Sequence, residues 1–418
     1  MPEATKLQAQ TTAEDAALIE VGLNNSLFKK KPHRCTTDYA IQEKRLQFVN
    51  PTVATGQEVY FEIDKEGTLI RGITFCFTAP ATATVVTGAP TYSRYGDFGG
   101  LQCIDRNTPI SYDYGSSNVH RVYPDQIYSE YFFENNEGRE YAEDLLVGEK
   151  TSADRNTLAL APQEFRVPLP HPWEGCGNEL PICALANKLK IRLTMASAAA
   201  ALQTDGVKPA SFNYTNCYLR YELVHVPGAD REALSAGTFT PDGRFTLFTD
   251  VTRKEVVIPA NSMFSNQPTQ YGFNVDLRDI TGAVRNIKGM LRTTTQLDAT
   301  QQAPTPYELD TNYLNNLTFQ VRANDRVLFE ETRPNFEQVE QVKRLYDCAP
   351  DIGQIHMFWD ADPKNLHFAS GHISLANFSS ATLYLRSTVA HPELRLTLLA
   401  YRWNWTNQKN GNYQRIWN

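Results

Sequence analysis

The chain has 418 residues, a length that favours two or three domains over one compact core. Lys and Arg number 40 against 47 Asp and Glu, and the formal net charge of −7 argues against a protein whose whole surface coats nucleic acid. Hydrophobic residues make up 41% of the chain and aromatic residues 11%, which excludes wholesale disorder. No run approaches 18 consecutive apolar residues, so no membrane-spanning helix is predicted.

The beginning of the chain and its cysteines predict a protein made in a reducing compartment. The first thirty residues lack the basic-then-apolar order of a secretory signal peptide. The seven cysteines are an odd, scattered set without a CxxC pair or zinc-ligand spacing. Most of them stand in apolar, strand-like segments, so buried free thiols are favoured over disulfides.

Period-two alternation of apolar and polar residues runs through the whole chain and predicts β-strands. In the first half, Glu58–Ile63 and Lys188–Met195 alternate in this way, and Cys217–Val226 is a further strand. In the second half, residues 316–322 and 327–329 flank a polar four-residue turn, which predicts a hairpin. Two long strands, 381–386 and 394–405, follow near the end of the chain. The pattern therefore predicts an all-β protein.

Two helical patterns and several long polar connections interrupt the strands. Helices are predicted over Ser129–Lys150 and over Pro334–Tyr346, where apolar residues recur every three positions after a proline. Long connections of this kind suit a sandwich whose loops are elaborated at one end. They cover roughly 80–125, 148–165, 196–212 and 295–312.

The best domain limit follows the strand 217–226, at Pro227–Gly237, and a new run of strands starts at Phe239. This divides the chain into an N-terminal arm, 1–45, a first domain, 46–232, and a second domain, 233–418. Each domain has room for eight strands with long loops and a few short helices. The predicted fold is two consecutive eight-stranded jelly rolls.

Four local patterns resemble one family of viral proteins. Leu180–Leu185 reads Leu-Pro-Ile-Cys-Ala-Leu, after Pro172-Trp173, and the strand Lys188–Ile191 follows it. Tyr221–Val226 is followed by an Asp-Arg-Glu step at 230–232. The other two patterns are Phe329–Arg333 with the helix after it, and Gly353–Phe358 with Pro363 and Ser370-Gly371.

In this order the patterns resemble the double jelly-roll major capsid proteins of tailless icosahedral DNA viruses, the lineage of nucleocytoplasmic large DNA viruses, virophages and polinton-like elements. The patterns cover about a third of the chain. One departs from the family, because Ser374–Ser379 reads Ser-Leu-Ala-Asn-Phe-Ser where the family has Asn-Phe-Ser-Arg-Ile-Asp, so Arg and Asp are missing.

The resemblance implies a structural protein of the virion, synthesised and assembled inside the host cell. It would form homotrimers of pseudo-hexagonal outline that tile the capsid, alongside penton and minor or cement proteins. It also implies an arm below the tile, toward an inner membrane or the genome. Lys29, Lys30, Lys31 and Arg34, the densest cation run in the chain, suit such an inner face, with a solvated arm as the alternative.

Tyrosines are unusually dense between residues 92 and 131. Since tyrosine is enriched at protein interfaces, the sequence predicts that many of these side chains are buried at a subunit interface. The candidates for the trimer interface are Tyr92, Tyr95, Tyr112, Tyr114 and Tyr123.

No catalytic constellation emerges from the sequence. His356, Asp360, Asp362, His367 and His372 cluster within 17 residues, but their spacing fits no metal site, and hydrogen-bonded loop residues are favoured. The aromatic run 401–405 is predicted as strand core rather than a base-stacking surface. No enzyme activity, metal or cofactor is predicted. The alternatives are a two-domain β-sandwich enzyme or lectin acting on carbohydrate, and a minor capsid or spike protein of the same lineage.

Overall fold

The chain is described here as a computed structural model. The described residues are 40–50, 52–96, 98–131, 152–173, 179–226, 231–232, 234, 243–264, 267–307, 317–331, 354–361 and 369–416. The predicted helix 334–346 and the basic run 29–34 lie outside these ranges.

Strands dominate both halves of the chain, as the alternation predicted. The first half contains β1 (Ala40–Gln47), β2 (Thr52–Ala54), β3 (Glu58–Ile63), β4 (Leu69–Ala79), β5 (Ser93–Tyr95), β6 (Ile110–Tyr114), β7 (Ser117–Val122), β8 (Gln163–Pro168), β9 (Leu189–Thr194), β10 (Leu202–Thr204) and β11 (Asn213–His225). The second half contains β12 (Arg244–Ile258), β13 (Met263–Phe264), β14 (Gln267–Asp276), β15 (Ala283–Thr293), β16 (Leu317–Ala323), β17 (Arg326–Glu331), β18 (Gln354–Phe358), β19 (Ala381–Ser387), β20 (Leu394–Lys409) and β21 (Asn412–Arg415).

The described helices are short and lie in the connections. They are α1 (Thr82–Val85), α2 (Gly99–Gln102), α3 (Pro124–Tyr131), α4 (Ser152–Leu158), α5 (Ala198–Ala201) and α6 (Thr294–Leu297), with 3₁₀ turns at Ile182–Ala184 and Leu375–Asn377. Helix α3 begins five residues before the predicted start at Ser129, and the predicted continuation lies largely outside the described residues. Among the described helices, none has both the length and the apolar composition that a bilayer crossing requires.

The two halves have the same sheet topology. In the first half the sheets run β1-β11-β4-β8 and β3-β9-β6-β7, and in the second half β12-β20-β15-β18 and β14-β19-β16-β17. If the eight main strands of each half are counted along the chain, both halves have the orders 1-8-3-6 and 2-7-4-5. This is the jelly-roll arrangement of two facing antiparallel sheets, and it confirms the predicted fold class.

The alternation explains why these strands form a sandwich. In β9, Leu189, Ile191 and Leu193 are buried while the residues between them are half-buried, and β3 alternates in the same way. Such strands bury one face and leave the other toward solvent. The predicted hairpin β16–β17 is confirmed: Asn324 and Asp325 at its turn have φ angles of 48° and 64°, typical of a type I′ turn.

The connections differ in length between the two ends of each jelly roll. Consecutive main strands alternate in direction, so the first, third, fifth and seventh connections of each jelly roll leave the same end, here called the loop end. Most long connections leave the loop end, whereas the opposite end has tight turns at residues 115–116 and 324–325 together with two long connections, 169–188 and 359–380. The long connections of the loop end are 80–109, 123–162, 195–212, 294–316 and 332–353.

The first sheet begins before the predicted domain limit. Residues 40–45, assigned to the arm by the sequence, form the start of β1 and pair with β11 from Ala40–His225 to Arg45–Arg220. The alternation does not reveal this strand because β1 is an edge strand with both faces largely exposed and charged residues at 43–45. Strand β11 ends at His225 and β12 begins at Arg244, and the limit at 232/233 between them remains a proposal.

Candidate assembly interface between the two jelly rolls

The interface between the jelly rolls is formed on one side by the outer face of the β12-β20-β15-β18 sheet. In β15, Ile287 and Leu291 belong to the core of the second jelly roll. Met290, on the opposite face, packs in the core cluster of the first jelly roll, together with Leu399 and Tyr401 of β20. Strand β15 and most of β20 are therefore buried on both faces, one face in the core of each jelly roll.

A buried carboxylate at the centre of this interface binds three arginines. Asp125 stands in the first turn of α3, directly after the proline that begins the helix, and is fully buried. Its Oδ1 lies 2.8 Å from Nη2 of Arg292, on β15. Its Oδ2 lies 3.2 Å from Nη1 of Arg106 and 3.3 Å from Nε of Arg253, on β12. One side chain of the first jelly roll thus holds two strands of the second.

The arginines keep Asp125 ionised. Burial alone would raise the pKa of this carboxyl, but the charges of Arg292, Arg106 and Arg253 outweigh it and hold the pKa below the ordinary value. A second acid, Glu255, extends the network: its carboxylate oxygens lie 2.5 Å from Arg253, 3.1 Å from Arg395 and 3.4 Å from Arg106. We call these two acids and four arginines the Asp125 network.

A second group of contacts joins the hairpin formed by β20 and β21 to the first jelly roll. The Trp173 Nε1–H donates a hydrogen bond of 2.7 Å to the Tyr413 hydroxyl on β21. The Gln408 amide of β20 donates to the carbonyl of Pro181 over 3.0 Å. Tyr114 donates its hydroxyl hydrogen to the carbonyl of Gly411. These bonds connect the last hairpin of the chain to the first jelly roll.

The loop ends of the two jelly rolls are also bonded to each other. The carbonyl of Pro304 accepts hydrogen bonds from the side-chain amides of Gln102 and Gln203, over 3.2 Å and 2.8 Å. The ammonium group of Lys208 donates to the carbonyl of Gln301 over 2.7 Å. The first jelly roll therefore positions the loop that follows α6 in the second.

Two buried histidines of the first jelly roll make its stability sensitive to acid. Burial lowers the pKa of His120 to about 4 and that of His171 to about 3. The acid Asp250 opposes the shift at His120, while Arg415 adds to it. In the unfolded chain both imidazoles take up a proton near pH 6.5, so below this pH the unfolded state binds more protons than the folded state.

We therefore expect stability to be complete above pH 6.5 and to fall as the pH drops toward 4, with a slope of up to about 1.4 kcal/mol per pH unit for each histidine. Urea unfolding between pH 4 and 7 measures this. The His120→Phe variant should show a shallower dependence than the wild type, and His372→Gln, at an exposed histidine, is the matched control. Identical pH dependences in wild type and His120→Phe would contradict the assignment.

Three of the five tyrosines predicted at the trimer interface lie inside the monomer. Tyr95, Tyr112 and Tyr114 belong to the core of the first jelly roll, with exposures of 2%, 0% and 6%. Their hydroxyls bind carbonyl groups of the same chain: Tyr95 donates to Pro80 over 2.7 Å and Tyr112 to Pro170 over 3.1 Å.

The interface prediction is therefore wrong for these three residues, since a side chain buried in its own monomer offers no surface to a partner. A signal was present in the sequence: Ile110, Tyr112 and Tyr114 alternate as the buried positions of a strand. Tyr92 and Tyr123 are half-buried and remain predictions. Lys29, Lys30, Lys31 and Arg34 lie outside the described residues.

In the cluster of histidines and aspartates near residue 360, the described residues His356 and Asp360 have structural roles. His356 is buried in β18, not in a loop. Asp360 accepts two hydrogen-bonded contacts from the buried Arg285, at 2.8 Å from Nε and 2.7 Å from Nη2. Asp362 and His367 lie outside the described residues. In the part of the chain that is described, no three His, Cys, Asp or Glu side chains are grouped to hold a metal ion.

Comparison with known proteins shows which family the first half of the chain resembles and which solved structures share its fold. The family model described as "Major capsid protein N-terminus" matches residues 26–218. Residues 26–218 of this chain are therefore similar to the N-terminal part of major capsid proteins. No curated protein matches its sequence. The match covers the first jelly roll and favours the capsid interpretation over the carbohydrate-active alternative.

Solved structures of viral capsid proteins share the fold of this chain along nearly its whole length. A chain of the PBCV-1 virus capsid is 14% identical, with a TM-score of 0.74, over 94% of this chain and 100% of that one. The Faustovirus major capsid protein is 10% identical, with a TM-score of 0.69, over 98% and 97%. A chain of the Sputnik virophage is 9% identical, with a TM-score of 0.58, over 95% and 91%.

Proposed function

We propose that this chain is a major capsid protein, that it assembles with two further copies into a trimer, and that trimers tile the shell of an icosahedral DNA virus. The observation that carries the proposal is the identical strand order of the two jelly rolls in one chain. Three such chains around a three-fold axis supply six similar units, which gives the trimer a pseudo-hexagonal outline. A hexagonal outline packs without gaps into a flat facet.

The Asp125 network supports this role, because a trimer with a regular hexagonal outline needs a fixed angle between the two jelly rolls of each chain. Asp125 and Arg292 are fully buried, and an ion pair of this kind is strongly destabilised when one partner is displaced. We infer that the two jelly rolls move as one body during assembly. We also infer that the protein has no catalytic role, since a shell protein acts through its shape and its self-complementary surfaces.

The partners follow from the same proposal. They are other copies of this chain, the penton proteins at the vertices, and minor or cement proteins between trimers. Lys29, Lys30, Lys31 and Arg34 would face anionic lipid or the genome on the inner side of the shell. Tyr92 and Tyr123 are the remaining candidates for trimer contacts. The protein would be synthesised and assembled in the host cell and reside in the virion.

Light scattering coupled to size-exclusion chromatography tests the trimer. We expect a stable mass near three times the 47.2 kDa of one chain. A strict monomer over a wide range of protein and salt concentrations would contradict the proposal. Copy number in purified particles then separates a major shell protein, present in the great majority of positions, from a minor capsid or spike protein.

A further inference from the structure

Inside one chain, an edge of the first jelly roll packs on a sheet face of the second. On strand β7, His120 lies against Phe248 of β12, with 5.5 Å between ring centres. On helix α3, which follows β7, Asp125 lies 2.8 Å from Arg292 of β15. Met290 of the same face of β15 packs in the core cluster of the first jelly roll. The first jelly roll therefore uses the edge at its fifth main strand, and the second uses the outer face of its β12-β20-β15-β18 sheet.

The corresponding face of the first jelly roll, on the β1-β11-β4-β8 sheet, has an ion pair at the same register. Glu43 of β1 lies 2.6 Å from Arg220 of β11, and Glu255 of β12 lies 3.1 Å from Arg395 of β20. In both sheets the arginine precedes by two positions the residue that stands directly opposite the glutamate. The two faces can therefore be matched residue by residue from this pair.

Matched positions are buried on the second jelly roll and open on the first. Two residues before the glutamate of each pair stand Arg253, which is 10% exposed and binds Asp125, and Ile41, which is 48% exposed. On the third main strand, the register places Met290 and Arg71 at the same position. Met290 is fully buried, whereas Arg71 is partly exposed. The face that the chain covers in its second jelly roll is thus uncovered in its first.

The second jelly roll, in turn, has the edge that the first one uses. The hairpins β6–β7 and β16–β17 both have two-residue turns, and both have a β-bulge at the same place. Just beyond the bulge, Tyr112 stands opposite His120 in the first hairpin, and Val321 stands opposite Phe329 in the second. Strand β17 therefore occupies the place of β7, and residue 329 takes the position of His120.

We propose that the outer face of the β1-β11-β4-β8 sheet binds the second jelly roll of another copy of this chain, at the edge of β17. The inference rests on the proposed trimer and names the surface through which its copies meet. Inside the chain an edge meets a face, and between chains the remaining edge meets the remaining face. Three copies then form a closed ring in which every jelly roll gives one edge and receives one.

Light scattering of the full-length protein, with matched variants on the two outer faces of the first jelly roll, tests this assignment. Arg71→Glu alters the open face at an arginine that is 39% exposed and paired with Glu222 over 2.8 Å. Arg192→Glu is the control, at an arginine on the other sheet that is 40% exposed and paired with Asp113. A reversed charge is costly in a contact that excludes water, so Arg71→Glu should weaken trimer formation at least about tenfold. Arg192→Glu should form trimers as the wild type does.

A second variant of the open face, Ile41→Asp, should have the same effect, since it places a carboxylate at an exposed side chain without altering the core. Urea unfolding shows whether the monomers of all variants keep the stability of the wild type. If the wild type is a trimer and both open-face variants still form trimers, the assigned face is wrong while the trimer stands. Dissociation of Arg192→Glu to the same extent would also overturn the assignment. A wild type that is itself monomeric would contradict the trimer and this inference together.

Discussion

The Asp125→Asn substitution should lower the free energy of unfolding by about 3–5 kcal/mol, the range observed when one partner of a buried ion pair is removed. The asparagine occupies nearly the same volume, so the loss comes from charge rather than from packing. Arg292, Arg253 and Arg106 would remain at the interface without the carboxylate that now binds all three. Because these arginines belong to both jelly rolls, we also expect fewer trimers.

Urea unfolding and light scattering measure the two effects. The matched control is Asp279→Asn, which removes a carboxylate that is 60% exposed and 2.7 Å from Lys254. Exposed pairs of this kind contribute about 0–1 kcal/mol, so the control should stay close to the wild type. If Asp125→Asn unfolds at the same urea concentration as Asp279→Asn, the network does not fix the two jelly rolls.

The Tyr112→Ser substitution should unfold the monomer rather than only weaken assembly. Tyr112 is completely buried, and its ring packs edge-to-face on Trp173, with 5.7 Å between ring centres. Removing a large buried aromatic side chain costs about 3–5 kcal/mol, since the neighbours fill the cavity only in part. Circular dichroism during urea unfolding, at concentrations where the chain is monomeric, measures the loss.

Two comparison variants separate the contribution of the buried ring of Tyr112 from that of its hydroxyl group. Tyr112→Phe keeps the ring and removes one hydrogen bond to a carbonyl, so it should cost only about 1 kcal/mol. Tyr60→Ser, at a tyrosine that is 40% exposed, should be far milder than Tyr112→Ser. If the Tyr112→Ser monomer has wild-type stability but no longer forms trimers, Tyr112 lies at the subunit interface and this prediction is wrong.

Much of the fold is predictable from short-range patterns in the sequence. Strands such as β9 and β3 bury one face, and the alternation of apolar residues marks that face directly. The hairpin β16–β17 is marked by the Asn-Asp pair at its turn, since both residues tolerate positive φ angles. The order of the family patterns along the chain then favours two jelly rolls over other all-β arrangements.

The interface between the jelly rolls is not predictable in the same way. Strand β15 is buried on both faces, yet it contains Arg285, Lys288 and Arg292, which in a sequence indicate an exposed face. Their burial depends on partners far along the chain: Asp125 and Arg292 are separated by 167 residues. No local pattern encodes such a pairing, so the Asp125 network becomes visible only in three dimensions.

The unequal lengths of the connections imply different tolerance to insertion at the two ends of the molecule. At the tight turn 324–325, Asn324 and Asp325 both have left-handed backbone angles, so added residues would disturb the β16–β17 register. The long connections at the loop end already depart from minimal turns, and residues such as Val207, 64% exposed, lie on their surface. We therefore expect residues inserted into the long connections of the loop end to be tolerated, whereas residues inserted into the tight turn 324–325 would shift the strand pairing on which the sheet depends.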